Sequence, residues 1–401
     1  MAGSITAEEL DSWDREQYLV IDIREEEEFK KDHISGSRRL DAGDILQEGA
    51  GTPDLPRDRR LVLVCRYGKI SADAAGKLSE EGYDAWNLEG GYGGWVWYQA
   101  QKAAGDEKRR HDIEESIRKK FKKDLFGKFT KAVVEYRLVE EGDRIAVCIS
   151  GGKDSMCMAM LFQELKRHNK FPFELIFLVM DPGYNETNRR VIENNARLLG
   201  IPVTFFETSI FDSVYKVEKS PCYLCARMRR GYLYKKAKEL GCNKIALGHH
   251  YDDVIETTLM GILYSGQFQA MMPRLHSQNY EGMELIRPMY FIREDDIIHW
   301  RNYNGLHFIQ CACKFTDTCT TCRPAGDTGS KRLETKRLIA ELKKTNPFVE
   351  KNIFKSMENV PLNKIVGYRI RGQKHSFLEH YDDPGFDLYE ENPGLPTGIS
   401  E

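Results

Sequence analysis

The chain contains 401 residues, with a formal net charge of −3, 41% hydrophobic residues and ten cysteines. This length allows two domains with separate cores, and the nearly balanced charge gives no support for nucleic-acid binding through bulk charge. No run of about 18 apolar residues could span a bilayer and no charged-then-apolar leader follows Met1, so we expect a cytoplasmic protein without membrane contact. In such a protein, cysteines indicate metal ligands or redox groups rather than a disulfide framework.

Residues 1–104 read as a separate α/β domain. Apolar runs at Val20–Ile23 and Leu61–Val64 predict buried strands, and Cys65 follows the second run. A short loop then leads into a helix that we expect to begin at Ser71. Loop amides that converge on a sulfur at a helix N-terminus favour the thiolate, so Cys65 is predicted to be a nucleophile.

This first segment is similar to a single-domain rhodanese. The likeness lies in Asp22–Arg24, His33–Gly36, Cys65–Ile70 and Asn87–Gly91. It implies that Cys65 carries sulfur as a persulfide. Such loops commonly have arginine where this chain has Ile70, which implies that thiosulfate is a poor donor. A degenerate rhodanese fold with a purely structural role is the alternative.

Residues 105–135 form a charged linker that is predicted to be helical. Its basic residues cluster at Lys108–Arg110, Arg118–Lys120 and Lys122–Lys123, and apolar residues such as Phe121 punctuate them. A basic stripe of this kind could neutralise RNA phosphates. A solvated linker helix that packs one apolar edge is the equally simple alternative.

A glycine-rich loop lies within the next segment, residues 136–378. It follows the apolar run Ile145–Ile149 and precedes a helical pattern that begins at Met156. The loop consists of Ser150, Gly151, Gly152, Lys153, Asp154 and Ser155. Two glycines allow a sharp turn with inward amides, and the following helix adds its positive end, so the loop predicts a polyphosphate cradle. Its spacing is not that of a Walker loop, which indicates chemistry unlike that of kinases or GTPases.

Two further polar groups follow strands of the same predicted sheet. Asp181 ends the strand Leu175–Met180, and the segment Gly248–Asp253 follows the apolar run Lys244–Leu247. Ligands bind at the carboxyl ends of strands in open α/β sheets, so these groups and the glycine-rich loop predict one nucleotide pocket. Its candidate binding residues beyond the loop are Asp181, Gly248 and His249.

The glycine-rich loop and the segment Gly248–Asp253 resemble the two signatures of PP-loop ATP pyrophosphatases. This resemblance implies a doubly wound parallel sheet of the adenine nucleotide α-hydrolase type, downstream of the rhodanese-like domain. It also implies cleavage of ATP between the α and β phosphates, with AMP left on a substrate oxygen. A turn that merely caps a helix is the alternative.

Six cysteines lie in loop-like contexts after the nucleotide signatures begin. Cys222 and Cys225 form a C-x-x-C pair, Cys311 and Cys313 a C-x-C pair, and Cys319 and Cys322 a further C-x-x-C pair. A C-x-x-C pair alone fits half of a zinc site, a redox dithiol or two iron–sulfur ligands.

The segments Pro221–Gly231 and Ile245–Asp253 are similar to the tRNA-cytidine 2-sulfurtransferase family, with likeness from about Asp124 to Val366. The family holds a 4Fe-4S cluster on three cysteines, which implies that Cys222, Cys225 and Cys311 are the ligands here. Cys313 competes with Cys311 for the third place, because the family more often has C-x-x-C there. Structural zinc and a dithiol remain alternatives, and Cys319 and Cys322 have no assigned role.

The family chemistry implies sulfur insertion into a tRNA cytidine. The base oxygen attacks the α phosphate of ATP, Lys153 stabilises the charge, and Asp252 or Asp253 holds Mg²⁺ or orients the base. Arg229 is a candidate partner for phosphate or a substrate oxygen. Sulfur would come from a cysteine desulfurase or another persulfide donor through Cys65, carried on the charged linker.

Three alternatives to this function stay open. The same chemistry could thiolate another RNA base or a small molecule, and the chain could be a non-catalytic sulfur carrier or cluster scaffold. A homodimer is compatible with the sequence. Residues 379–401, rich in acidic residues, proline and glycine, predict a flexible tail.

Overall fold

The computed structural model of the chain describes residues 2–46, 55–103, 107–168, 170–210, 221–309, 331–370 and 372–383. Within these ranges the chain forms a five-stranded sheet, a six-stranded sheet and a two-stranded hairpin. No helix in the described ranges has the length and apolar character needed to cross a membrane.

The first sheet is entirely parallel, with the strand order β1-β5-β4-β2-β3. Its strands are β1 (Gly3–Ile5), β2 (Tyr18–Asp22), β3 (Arg38–Arg39), β4 (Arg60–Val64) and β5 (Ala85–Leu88). Its helices are α1 (Ala7–Ser12), α2 (Glu26–Lys31), α3 (Ala42–Leu46), α4 (Lys69–Glu80) and α5 (Gly91–Ala103). Apolar clusters cover both faces of the sheet. Both predicted strands are present, but α4 begins at Lys69 rather than Ser71, because Gly68 caps the helix with a positive φ.

The second sheet has the order β10-β11-β9-β6-β7-β8, with only the edge strand β10 antiparallel. Its strands are β6 (Arg144–Ile149), β7 (Glu174–Asp181), β8 (Val203–Glu207), β9 (Lys244–Ala246), β10 (Arg274–His276) and β11 (Glu284–Ile286). The chain runs from β6 outward to β7 and β8, and later adds β9 on the other side of β6. The doubly wound sheet is therefore confirmed, with a switch in strand order between β6 and β9.

Helices surround this second sheet. They are α6 (Glu107–Arg118), α7 (Gly127–Glu135), α8 (Lys153–Arg167), α9 (Glu186–Leu198), α10 (Pro221–Glu239), α11 (Tyr251–Ser265), α12 (Glu294–Tyr303), α13 (Lys331–Thr345) and α14 (Val349–Ser356). A π-helical turn at Lys122–Phe126 joins α6 to α7. The prediction that the helix after the glycine-rich loop begins at Met156 is wrong, because Gly152 is the N-cap and α8 starts at Lys153.

The charged linker packs one apolar edge into the core of the second sheet. Its buried residues include Ile113, Ile117, Phe121, Leu125 and Phe129. The segment is thus a packed part of the larger domain, although its division from the flanking domains at residues 104 and 135 stays a prediction.

The two sheets are joined by packing between α5 and α9. Val191 of α9 is buried among the core residues of the first sheet, and Ile309 packs against the same cluster. After α14 the chain forms the antiparallel hairpin β12 (Gly367–Ile370) and β13 (Gln373–Ser376). Most of the predicted tail, from residue 384 onward, lies outside the described residues.

Candidate active site

The glycine-rich loop leaves the carboxyl end of β6, at the switch in strand order. Gly151 has a φ of +85°, and a Cβ atom there would lie 2.5 Å from Ile192 Cγ1 and 2.7 Å from Ile309 Cδ1. A Cβ atom on Gly248 would meet the backbone of Asp154 at 3.3 Å, so the loop after β9 approaches the first turn of α8. Both glycines are therefore required for close approach, and the two predicted signatures meet at one place.

Ser155 braces the loop from inside. Its hydroxyl donates to the Gly152 carbonyl at 3.0 Å and accepts the Ser150 N–H at 3.1 Å. Ser150 Oγ lies 3.2 Å from the Ser155 hydroxyl oxygen. The hydroxyl of Ser155 therefore fixes the shape of the cradle, and the loop amides and Lys153 are left as the groups that can receive phosphate.

Lys153 lies between two carboxylates. Its Nζ is 3.0 Å from Asp154 Oδ1 and 3.0 Å from Glu294 Oε1 at the start of α12, and Glu294 also pairs with Lys336 of α13. Burial lowers the pKa of Lys153, but the two carboxylates outweigh it and raise the pKa. Burial raises the pKa of Glu294, yet Lys153 and Lys336 hold that pKa far below its ordinary value. The site thus holds a charged lysine at the mouth of the cradle.

The two aspartates after β9 have different surroundings. Asp252 accepts the Glu294 N–H at 2.7 Å and pairs with Arg293 at 2.9 Å, which ties it to the start of α12. Asp253 pairs with Arg332 of α13 and lies 3.5 Å from His250 Nε2. The same nitrogen is 3.8 Å from Asp154. Asp253 and Asp154 therefore both lie beside the His250 ring, whereas Asp252 holds the neighbouring helix.

Mg²⁺ would need more ligands than these side chains provide. Across the described ranges, no three His, Cys, Asp or Glu residues gather closely enough to hold a metal ion by themselves. A magnesium ion in a nucleotide site takes one or two carboxylates and completes its shell with phosphate oxygens and water. Asp154 and Asp253 fit that sparser donor set.

Two buried nitrogen atoms at this edge of the sheet have no hydrogen-bond partner among the described residues. They are Nδ1 of His249 and Nε of Arg287, which directly follows β11. Burial lowers the pKa of His249 to about 4 and that of Arg287 to about 10. Buried polar atoms are nearly always paired in a working protein, so both nitrogen atoms are candidates for ligand contacts.

Asp181 shapes the turn after β7. Its Oδ1 accepts the N–H groups of Gly183 at 2.9 Å and Tyr184 at 2.7 Å, and its Oδ2 is 3.3 Å from Arg189. These contacts occupy the carboxylate with the chain itself. Its predicted role toward the nucleotide stays a prediction.

The predicted cluster ligands and Arg229 stay predictions too. Cys222 and Cys225 fall at the start of α10, where the side chains lie outside the described residues, and Arg229 is half-buried farther along the same helix. Cys311, Cys313, Cys319 and Cys322 lie outside the described residues altogether.

Cys65 forms a second site at the carboxyl end of β4. Its Sγ accepts hydrogen bonds from the Gly68 N–H and the Ser71 hydroxyl, both at 3.1 Å. A Cβ atom on Gly91, which begins α5, would lie 2.3 Å from the Cys65 carbonyl oxygen, so α5 closes tightly over the loop. The thiol is 5% exposed. The predicted cradle around the sulfur is therefore present, although it is built from one amide and one hydroxyl.

The basic residues of the charged linker are only partly available to a ligand. Arg109 and Arg110 donate to the backbone carbonyls of Gly305 and Arg197, and Arg118 and Lys119 form ion pairs within α6. Lys122 is exposed at the π-helical turn, as are Lys108 and Lys123 at their positions. Lys119 and Lys120 are exposed as well, but Lys119 pairs with Glu115 and Lys120 lies over the ring of Tyr303. The predicted stripe therefore keeps five exposed lysines, of which Lys108, Lys122 and Lys123 form no ion pair with the described residues.

Sequence reasoning missed several groups of the nucleotide site. These are Arg287, Arg293, Glu294, Arg332 and Lys336. Among these residues, only Arg287 could have been predicted from a local sequence pattern. It directly follows an apolar segment, at the strand end where ligands are expected. The other four come from helices far along the chain, and no local motif marks them.

Two family models match the chain. The family described as a PP-loop domain matches residues 116–315, and the family described as a rhodanese-like domain matches residues 6–96. Among solved structures, the U34-tRNA thiolase NcsA from Methanococcus maripaludis, with its 4Fe-4S cluster, has a TM-score of 0.47 and 22% identity. The match covers 59% of this chain and 78% of that chain.

Curated relatives cover the larger domain. A tRNA-cytidine(32) 2-sulfurtransferase of Pelobacter propionicus is 34% identical over 245 residues, which is 60% of this chain and 87% of the relative. The enzyme of the same name from Syntrophotalea carbinolica is 36% identical over 251 residues, which is 62% of this chain and 92% of the relative. The chain therefore belongs to the tRNA-cytidine(32) 2-sulfurtransferase family of PP-loop enzymes, and it carries a rhodanese-like domain in front of the shared region.

Proposed function

We propose that this enzyme uses ATP to replace the C2 oxygen of a tRNA cytidine with sulfur. The observation that carries the proposal is the joined arrangement of the glycine-rich loop, Lys153 and Asp253 at the switch in strand order. Such an arrangement suits a polyphosphate with a metal ion, and the relatives with this sequence pattern are named for tRNA-cytidine thiolation.

In the first step, the cytidine oxygen attacks the α phosphorus of ATP. A C–O–P bond forms, the bond between the α and β phosphates breaks, and pyrophosphate leaves. Lys153 and the loop amides would stabilise the charge that develops on the phosphates. Asp154 and Asp253 would hold Mg²⁺ against the same oxygens, and Arg229 would contact phosphate or the base oxygen.

In the second step, hydrosulfide attacks C2, a C–S bond forms, the C–O bond to AMP breaks and one proton is lost. The predicted ligands Cys222, Cys225 and Cys311 have the donor chemistry of iron–sulfur clusters, and three thiolates leave one iron without a protein ligand. A 4Fe-4S cluster would, when bound, present the sulfur nucleophile beside the activated base. Zinc or a simple dithiol at these cysteines is the alternative.

We also propose that Cys65 supplies this sulfur. A cysteine desulfurase would charge it as a persulfide, whose outer sulfur must gain two electrons to leave as hydrosulfide. A dithiol reductant would supply them, and Cys65 would return as a thiolate. The hydrogen bonds from Gly68 and Ser71 support the role, because they stabilise negative charge on the sulfur.

The reaction can be tested with the anaerobically purified enzyme, ATP, Mg²⁺, sulfide and unmodified tRNA. We expect AMP and pyrophosphate in step with 2-thiocytidine, detected by mass spectrometry of the nucleosides. Thiouridine in place of thiocytidine would transfer the proposal to another base. ADP and phosphate as the main products would overturn the adenylation step, and AMP release without dependence on tRNA would favour a sulfur carrier.

The relay can be tested with Cys65→Ala in the full chain. Turnover with a cysteine desulfurase should fall by at least about tenfold, because a tethered donor works at an effective concentration in the millimolar range. Turnover with excess sulfide should stay unchanged. Equal activity of the variant with both donors would remove Cys65 from the reaction.

The contact with tRNA can be tested on the exposed lysines of the charged linker. Lys122→Glu with Lys123→Glu should weaken tRNA binding and flatten its dependence on salt, by about one unit of log–log slope for each lost phosphate contact. Lys31→Glu, at the exposed end of α2 and outside the linker, is the control for a charge reversal elsewhere on the surface. An unchanged slope would show that this segment does not bind RNA.

A further inference from the structure

Arg66 and Tyr67, which directly follow Cys65 in its loop, face the larger domain, although Cys65 itself does not line the gap between the two domains. A cavity of about 40 Å³ lies between Arg66, Tyr67 and Gly93 on one side and Val191, Phe308 and Ile309 on the other. That volume accommodates about three water molecules. It therefore has room for a sulfur atom.

A buried charged contact joins the domains beside this cavity. Asp32 follows α2, and its Oδ2 lies 3.4 Å from His307 Nδ1 and 3.7 Å from Arg301 Nη1. The Asp32 and Arg301 side chains are 11% and 8% exposed. Burial raises the pKa of Asp32, but His307 and Arg301 outweigh it and hold the pKa below its ordinary value. The contact is thus made by a carboxylate that has lost most of its water.

On the rhodanese side, Asp32 is tied to the walls of the cavity. Its backbone carbonyl accepts a hydrogen bond of 2.8 Å from Arg24, which pairs with Asp22 at the end of β2. The Arg24 guanidinium lies 3.6 Å from the ring centre of Tyr92 in the first turn of α5. Both Arg24 and Tyr92 line the cavity.

On the other side, His307 and Arg301 connect to the nucleotide site. Arg301 belongs to α12, the helix whose first residue Glu294 pairs with Lys153. The His307 carbonyl accepts a hydrogen bond of 2.9 Å from Asn195 of α9. Ile309 follows closely in the chain and contacts the cradle at Gly151. In the sequence, Ile309 precedes the predicted cluster ligand Cys311 by two residues.

We propose that Asp32, His307 and Arg301 form an interdomain latch that holds the mouth of the Cys65 loop against Phe308 and Ile309. This rests on the proposed relay: sulfur then leaves Cys65 into the cavity between docked domains, rather than on a domain that swings to its target. Separating the domains breaks the contacts of Asp32 with His307 and Arg301, which are strengthened by the low exposure of these groups, so the latch favours the docked pair.

The test uses Asp32→Ala and Arg301→Gln in the full chain, with Glu26→Ala as the matched control. Glu26 lies in α2 near Asp32, but its side chain is 60% exposed and pairs only with Lys30 among the described residues. The first readout is the rate at which iodoacetamide alkylates Cys65, followed by mass spectrometry of the peptide that contains it. Both latch variants should raise this rate by at least about tenfold, because one lost charged contact is worth that factor or more.

The second readout is turnover with two donors. Both latch variants should lose about tenfold with a cysteine desulfurase and change less than about twofold with excess sulfide. The double variant should be no worse than either single one, because both residues serve one contact. Glu26→Ala should match the wild type throughout.

The outcomes separate the latch from the relay. Alkylation of Cys65 at the wild-type rate in both latch variants would overturn the latch, whatever the turnover. If Cys65→Ala keeps full desulfurase-dependent turnover while the latch variants expose Cys65, the relay fails and the docked contact stands. Faster desulfurase-dependent turnover in the latch variants would overturn transfer in the docked state.

Discussion

The Cys65 loop and the glycine-rich loop are built in the same way. They differ in where their contacting groups come from, because those of Cys65 are close in sequence and those of Lys153 include a distant residue. Each follows a buried parallel strand and enters a helix whose first residue is a lysine, Lys69 or Lys153. Around Cys65, the hydrogen-bond donors to the sulfur lie within six residues in sequence. Around Lys153, the partner Glu294 is 141 residues away.

This difference shows that one site is complete locally and the other is assembled. The hydrogen-bond donors to a cysteine in a tight loop can come from the same loop, because the reacting sulfur is part of the chain. A site for a polyphosphate must hold several charges in place before the ligand arrives, and helices from distant segments supply the counter-charges. Substitution of Glu294 or Lys336 should therefore disturb the nucleotide site and leave the hydrogen bonds to the Cys65 sulfur unchanged.

The largest effect is expected for Lys153→Ala. Loss of one preorganised charge at the phosphates should slow AMP formation on the order of 10²-fold or more. Lys166→Ala, at the exposed end of the same helix, is the control. Persulfide formation on Cys65 should not change. A Lys153→Ala enzyme with nearly normal AMP formation would contradict the assignment of the loop.

The next effect is a pH dependence of the free energy of unfolding, which we expect from His249 in the nucleotide site. The pKa of His249 is lowered by burial from 6.5 to about 4, so the folded state holds it neutral while the unfolded chain binds a proton. The contribution of His249 to the free energy of unfolding is complete above pH 6.5 and is lost as the pH falls toward 4. The loss is at most about 3 kcal/mol. Urea unfolding of the wild type and of His249→Gln over this pH range measures the contribution. If the free energy of unfolding of the two proteins changes with pH in parallel, His249 makes no such contribution.

Glu294→Gln tests whether a residue from a distant helix positions Lys153. The neutral amide should hold Lys153 and Lys336 less firmly, and we expect AMP formation to fall on the order of tenfold, which corresponds to about 1.4 kcal/mol. Asp295→Asn changes the exposed neighbour in α12 and should be neutral. If both variants behave alike, Glu294 does not position Lys153.

The smallest effect is expected for Ser71→Ala in the Cys65 loop. Its hydroxyl is one of two donors to the sulfur and also lies 2.7 Å from Asn87 Oδ1, so it can serve only one acceptor at a time. Loss of a hydrogen bond of about 1 kcal/mol should slow persulfide formation about fivefold. Ser79→Ala in the same helix is the control. A change in AMP formation would show that the loops are not independent.

The same contrast explains what the sequence could predict. Both loops and their strands follow from local patterns of glycine, apolar runs and polar strand ends, and the doubly wound sheet follows from the resemblance to PP-loop enzymes. Glu294, Arg332 and Lys336 could not be found, since a charged residue on a helix has no local mark of its distant partner. The different surroundings of Asp252 and Asp253 depend on α12 and α13 for the same reason. The docking of the two domains likewise depends on contacts between residues far apart in sequence, such as Asp32 and His307.

Ile309 touches both the cradle at Gly151 and the core of the rhodanese-like domain. A nucleotide that shifts this side chain changes the free energy of docking, and linkage makes the effect reciprocal. Any factor by which docking strengthens nucleotide binding is the factor by which the nucleotide strengthens docking. Nucleotide binding and docking would then be coupled through Ile309, while the hydrogen bonds at the Cys65 sulfur stay local.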